Sequence, residues 1–360
     1  VLQAQVRLNA APLELAPEMQ MIRNCARIPL AIAALSLSGL SASQVDAREF
    51  CTGTELPITS TTGRNAPYVD LSFEGKGGPF LLDYGASASS IEDGVWVIPS
   101  IDPRISTDAN GQLIKATGLS LPGWATVPIT LRIFDRNVYL SDKRQQYGVI
   151  GVDLIERQNV ELHYEQADKR YVVVSAYNAG CDTTQLKSKG FVKISQAGHW
   201  AQGGVAPDGI HNGPVAYFAL ADEKGAVSKP YWAQIDTGYE DSLLIHSIEI
   251  NTLLLDALQA SGTPLVEGQR VQVTGCDKAV HMRRTFTAPG RTLRVRNEAD
   301  EEVVQVKAFH LLLKEPAEGC GGISTATVPA GQMGASFLKA FGTTIFMGST
   351  KEVWIRPAKP

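Results

Sequence analysis

Along the chain, apolar and polar positions alternate in short runs broken by turn residues. "PYVDLSFEGKGGPFLLDYG", from Pro67, holds an alternating strand, a Gly/Lys turn and a second apolar strand that stops at Asp83. "GPVAYFALADEKGAVSKPYWAQIDTG", from Gly213, follows the same plan with a longer turn and delivers Asp236. Period-two alternation bounded by Gly, Pro, Asn and Asp predicts strands and hairpins. The expected fold class is all-β with few short helices.

The pattern also repeats. "GVIGVDLIERQNVELHYEQADKRYVVV", residues 148–174, aligns without a gap on "GQMGASFLKAFGTTIFMGSTKEVWIRP", residues 331–357. Gly148 falls on Gly331, Gly151 on Gly334, Leu162 on Ile345 and Tyr171-Val172 on Trp354-Ile355, an offset of 183. Each copy reads as a Gly-containing strand end, a short helix, a strand, a turn and a strand. Repetition on this scale predicts two related units in tandem. Residues 48–182 form the first, with one Asp-x-Gly motif, and 183–360 the second, with the other.

Composition changes this picture little. The chain is 44% hydrophobic and 19% charged, which suits a globular core. Its net charge of −4 supplies no field for nucleic acid. Residues 1–47 read as a leader. From Met21 come Arg23 and Arg27, an apolar run Ile28–Leu40 and the small-x-small site Val45-Asp46-Ala47, the parts of a secretory signal peptide in order. That predicts a secreted or periplasmic protein cleaved near Ala47, with no stable membrane insertion afterwards. Residues 1–20 receive no function. Removing the leader takes Cys25 and leaves Cys51, Cys181, Cys276 and Cys320. Disulfides are expected in an exported chain. Three pairings are open, and Cys51–Cys181 with Cys276–Cys320 is favoured because each then stays with one half. No CxxC or HExxH occurs, so no metal and no cofactor are expected. A monomer is expected.

The candidate chemistry lies in the repeated aspartates. Two carboxylates held together share one proton and titrate as a pair. The ionised member can take a proton from a water that attacks a carbonyl, while the protonated member donates to the carbonyl oxygen. Gly85 and Gly238, two residues after each Asp, let the chain turn without a clashing side chain.

These motifs resemble the pepsin/retropepsin family of aspartic proteases in its two-lobed form. Asp236-Thr237-Gly238 carries the family's Asp-Thr-Gly, and Tyr239-Glu240-Asp241-Ser242 is similar to the retroviral form. Asp83-Tyr84-Gly85-Ala86-Ser87 matches except at Tyr84. The family's apolar-apolar-Gly element is matched by Val149-Ile150-Gly151 and, less well, by Gln332-Met333-Gly334. The resemblance covers about residues 65–357. It implies two β-barrel-like lobes of the acid-protease fold with a cleft between them. It implies endopeptidase action on a peptide or protein substrate, with Asp83 and Asp236 catalytic and Gly85, Thr237 and Gly238 supporting them. A flap is expected in residues 113–133 around Leu121-Pro122-Gly123, with Trp124 as a tip contact. Ile150, Gly151, Met333 and Gly334 are expected at the substrate, with Ile91 and Leu243 as further pocket walls. The family threonine braces the opposite lobe, so Tyr84 leaves that role to Thr237 alone. Its ring must either pack in the interface or push the carboxylates apart. The alternative function is a catalytically weak or inactive peptide-binding or inhibitor protein of the same fold. A Ser hydrolase of the nucleophile-elbow type would need Gly-x-Ser-x-Gly, and none occurs.

Overall fold

The computed structural model describes residues 51–358 except 52, 60–63, 74, 97–101, 110, 117–118, 121–128, 135–137, 141, 177–180, 195–212, 275–278, 298 and 317–321. The expected leader, the tip Leu121-Pro122-Gly123, Trp124, Cys276 and Cys320 lie outside them. Among the described residues no helix is long and apolar enough to cross a membrane.

The protein is mostly β, with few short helices. An eight-stranded sheet runs in the order Ile105–Asp108, Gly111–Ala116, Ile129–Phe134, Ser90–Glu92, Gly148–Ile150, Lys76–Leu82, Tyr68–Phe73, Leu119–Ser120. A nine-stranded sheet runs Val266–Glu267, Thr285–Thr287, His310–Leu313, Ser247–Ile250, Ala330–Met333, Tyr231–Ile235, Val215–Asp222, Arg291–Arg296, Glu302–Val306. Five strands in a row correspond between them, from Ile129–Phe134 to Tyr68–Phe73 and from His310–Leu313 to Val215–Asp222. The corresponding pairs also keep the same sense. Lys76–Leu82 is parallel to Gly148–Ile150, as Tyr231–Ile235 is to Ala330–Met333. Ser90–Glu92 is antiparallel to Gly148–Ile150, as Ser247–Ile250 is to Ala330–Met333. The hairpins that deliver the aspartates turn at Gly75 and Gly225, with φ of 81° and 86°, values a side chain resists.

The expected barrel-like closure is not what the strands do. Among the described residues each sheet ends on an unpaired edge, several of the edge strands being only two to four residues long. Strands this short at the ends cannot wrap round to meet one another.

A six-stranded sheet draws on both halves of the chain, in the order Thr54–Pro57, Tyr171–Ala176, Gln158–His163, Thr343–Met347, Glu352–Arg356, Val192–Lys193. Its central pair is antiparallel, with Leu162 opposite Thr344, Glu161 opposite Ile345 and Val160 opposite Phe346. Val160, Leu162, Phe346 and Ile355 join one apolar core with Phe80, Leu82, Ile235 and Ile250. Cys51 and Cys181 form a disulfide across 130 residues, one of the two pairings expected, packed against Phe191, Ile345 and Trp354.

Candidate active site

Asp83 leaves strand Lys76–Leu82 and Asp236 leaves strand Tyr231–Ile235, each at the first residue beyond the ladder. The next strand fixes both at their backbones. The N–H of Asp83 donates to Ile150 O at 2.9 Å, and that of Asp236 to Met333 O at 3.0 Å. Each chain then turns back on its own carboxylate. Asp83 Oδ1 accepts from the N–H groups of Gly85 (2.7 Å) and Ala86 (3.1 Å). Asp236 Oδ1 accepts from Gly238 (2.8 Å) and Tyr239 (3.0 Å).

The two turns meet face to face. A Cβ placed on Gly85 would fall under 3.0 Å from the carboxyl carbon of Asp236, and one on Gly238 equally close to that of Asp83. Each glycine is therefore the floor on which the other motif's carboxyl group rests. Both carboxyl groups are buried. Burial, and next the neighbouring Asp83, push the Asp236 carboxyl well above the usual carboxylate range. A buried pair of this kind can hold one proton between two acids, with no net charge beyond one.

Thr237 joins the turns. Its hydroxyl donates to Leu82 O at 2.7 Å and accepts from the Tyr84 N–H at 3.0 Å. In the opposite direction, Gln234 Nε2 reaches Tyr84 O at 3.4 Å. The Tyr84 ring is buried and stacks on Phe346, centroids 3.8 Å apart and planes 18° apart. Of the two outcomes open at this position, the ring packs between the sheets while the motif glycines stay in contact with the carboxyl groups.

The other candidate residues divide by location. Gly151 packs against the first motif: a Cβ there would meet Ala86 O and Ala88, and its N–H donates to Ser89 Oγ at 2.9 Å. Gly334 packs against Asp241 in the same way. Ile91, Ile150 and Met333 lie in the core with no exposed surface, so their side chains wall no open pocket. Ile150 and Met333 act through their carbonyls instead. Leu243 is exposed. Strands Gly111–Ala116 and Ile129–Phe134 pair antiparallel on either side of the expected flap tip.

The structure adds polar groups that the motifs do not name. Glu240 accepts from the N–H groups of Asn65 (2.8 Å) and Ala66 (3.0 Å), so the second motif also ties down the entry to the first sheet. Asp241 accepts from the N–H of Ser336 at 2.8 Å and from its hydroxyl, and burial pushes its carboxyl up to about 7. Gln332 donates from Nε2 to Asp236 Oδ2. Beside Gln332 in register lies Glu249, buried with Arg283 and Lys314. The signal for this last group was a polar residue inside a buried strand, in "AQI", "GQM" and "IEI".

No protein-family model matches the chain, and no curated protein does. Among solved structures the chain is similar to conglutin gamma, a basic 7S globulin from lupine seeds, at 11% identity and a TM-score of 0.43, over 85% of this chain and 95% of that one. A likeness at that distance assigns neither family nor function, and the aspartates are read from their own geometry.

Proposed function

We propose that the chain is an exported aspartic endopeptidase, a two-lobed relative of the pepsin/retropepsin proteases, that hydrolyses peptide bonds with Asp83 and Asp236. The observation that carries this reading is the reciprocal seat of each carboxyl group on the other motif's glycine. A turn aspartate with a purely structural role has no need of a second one facing it. In the reaction, the ionised carboxylate takes a proton from water as the water oxygen bonds to the peptide carbon. The protonated carboxyl group gives its proton to the carbonyl oxygen. The tetrahedral diol then collapses: a proton passes to the amide nitrogen, the C–N bond breaks, and the pair again holds one proton. Thr237 holds the turns together through these steps. The strand pair Gly111–Ala116 and Ile129–Phe134 would carry the flap over an extended peptide. The Cys51–Cys181 disulfide fits an oxidising compartment.

A second reading, a peptide-binding protein that does not cut, draws on Tyr84, which stands where a compact threonine would brace the pair from the other side. One experiment separates them. The protein is incubated with a mixed peptide library from acid to neutral pH, beside Asp83→Asn and Asp236→Asn. Cleavage by the native chain that is lost in both variants and blocked by a pepsin-type transition-state mimic supports the protease. Binding of the mimic without cleavage supports the second reading, and cleavage retained in Asp236→Asn ends the first.

A further inference from the structure

The two sheets match strand for strand, but the residues beside their aspartates do not match in character. Leu81, Val149 and Ser90 lie in register across the first sheet, on neighbouring strands. The corresponding row in the second sheet is Gln234, Gln332 and Glu249. Leu81 and Val149 pack in an apolar cluster with Ala86 and Ala335. Their counterparts are buried and polar. Burying polar groups in a strand row costs free energy unless each has work to satisfy it. Gln234 reaches Tyr84 O, Gln332 reaches Asp236, and Glu249 meets Arg283 and, at 3.5 Å, Lys314.

We propose that Gln332 is a positioning residue that settles which aspartate holds the shared proton: its amide keeps Asp236 ionised and leaves the proton on Asp83. The inference rests on reading Asp83 and Asp236 as a working pair. Asp236 Oδ1 already takes two backbone N–H groups, and the amide of Gln332 supplies a third donor, on Oδ2. A carboxylate that accepts three N–H bonds is favoured over the acid, which has one lone-pair site fewer to offer. Asp83 has the matching backbone pair on its Oδ1, but Val149 stands where the amide would be. The difference between the two halves therefore falls on one side of the pair.

The charged surroundings of Asp236 are Asp83 across the turn, Glu249 from Ser247–Ile250 with Arg283 and Lys314 beyond it, and Asp241 in its own turn. Arg283 and Lys314 hold the Glu249 carboxyl below the usual range despite burial, so Glu249 is charged. Burial, Asp83 and Glu249 all raise the affinity of Asp236 for a proton. The Gln332 amide opposes them through a direct bond to the carboxylate, and of the two aspartates it touches Asp236.

The test is Gln332→Met, close in volume and without a donor, with Gln332→Val, the first half's own residue at that place, as a second variant. Aspartate carboxyl 13C resonances are titrated in the full chain, with Asp83→Asn and Asp236→Asn to assign the pair, and the pH dependence of kcat/KM on a cleaved peptide is recorded alongside. Loss of the amide should raise the lower step of the pair by about one pH unit and leave the upper step in place, because Asp236 is ionised on both sides of that upper step. The acid limb of kcat/KM should move by the same amount. A lower step unchanged in both variants overturns the proposal, and so does a shift of both steps together, which would report altered burial. If the native chain cuts no peptide, the protease reading fails on that result, while the carboxyl titration still decides where the proton sits.

Discussion

Thr237→Val tests whether one hydroxyl holds the two motif turns together. Valine keeps the shape and removes both hydrogen bonds, so Leu82 O loses a donor at 2.7 Å and the Tyr84 N–H loses an acceptor at 3.0 Å. Thr237 is fully buried, so water does not replace either partner. Leaving two buried backbone groups with fewer partners costs about 2–6 kcal/mol, at about 1–3 for each. Thr237→Ser is the control. It keeps the hydroxyl and loses one methyl group, at about 1 kcal/mol. Valine should therefore be the less stable variant by about 1–5 kcal/mol, the difference of those two estimates. The assay is urea unfolding of both variants, with stability taken from midpoint and slope. A valine variant as stable as the serine variant would refute the brace.

Three further outcomes follow from the same geometry. Gly238→Ala puts a methyl group against the Asp83 carboxyl carbon, so the pair must part; overpacking of this kind costs about 1–3 kcal/mol by thermal unfolding, and peptide cleavage should fall at least about a hundredfold. Glu249→Leu removes the carboxylate that the buried Arg283 and Lys314 both meet and should destabilise by about 3–5 kcal/mol in the same unfolding assay, far more than loss of an exposed glutamate. Asp241 has a folded value of about 7, above its unfolded value, so the folded state binds the extra proton. Its contribution is complete below the unfolded value and is lost as pH rises through about 7. Asp241→Asn should flatten the fall in stability between mildly acid and neutral pH, and a native profile that rises across that interval relative to the variant would contradict the sign.

What could be read from the chain was what recurs along it. The period-two runs led to the mostly β class, the offset between Gly148 and Gly331 to the expectation of two related units, and the Asp-x-Gly repeats to the two turns that meet. Thr237 followed from its neighbours. The unread part depends on chain ends that meet far apart in sequence. Phe346, which takes the Tyr84 ring, lies 262 residues beyond it, and Arg283 lies 34 residues beyond Glu249. Alternation tells that Ile150 and Met333 alternate with their neighbours, but not which face of the sheet is closed over; packing closed theirs. Gln332 was visible as a poor match to an apolar position, and only the register placed its amide on Asp236.

The central pair of the six-stranded sheet has a property of its own. Carried through the offset of 183, Thr344 is the counterpart of Glu161, and Ile345 of Leu162. Leu162 faces Thr344 and Glu161 faces Ile345, while Val160 faces Phe346 and His163 faces Thr343, which are again each other's counterparts crosswise. This is the isologous pattern of a two-fold homodimer, drawn within one chain. The backbone of an edge built this way can pair with a copy of itself in the same register. The covalent connection between the halves raises the local concentration of the right partner and so keeps the pairing within the molecule. A fragment that kept only one half would carry a self-complementary edge with nothing else to cover it.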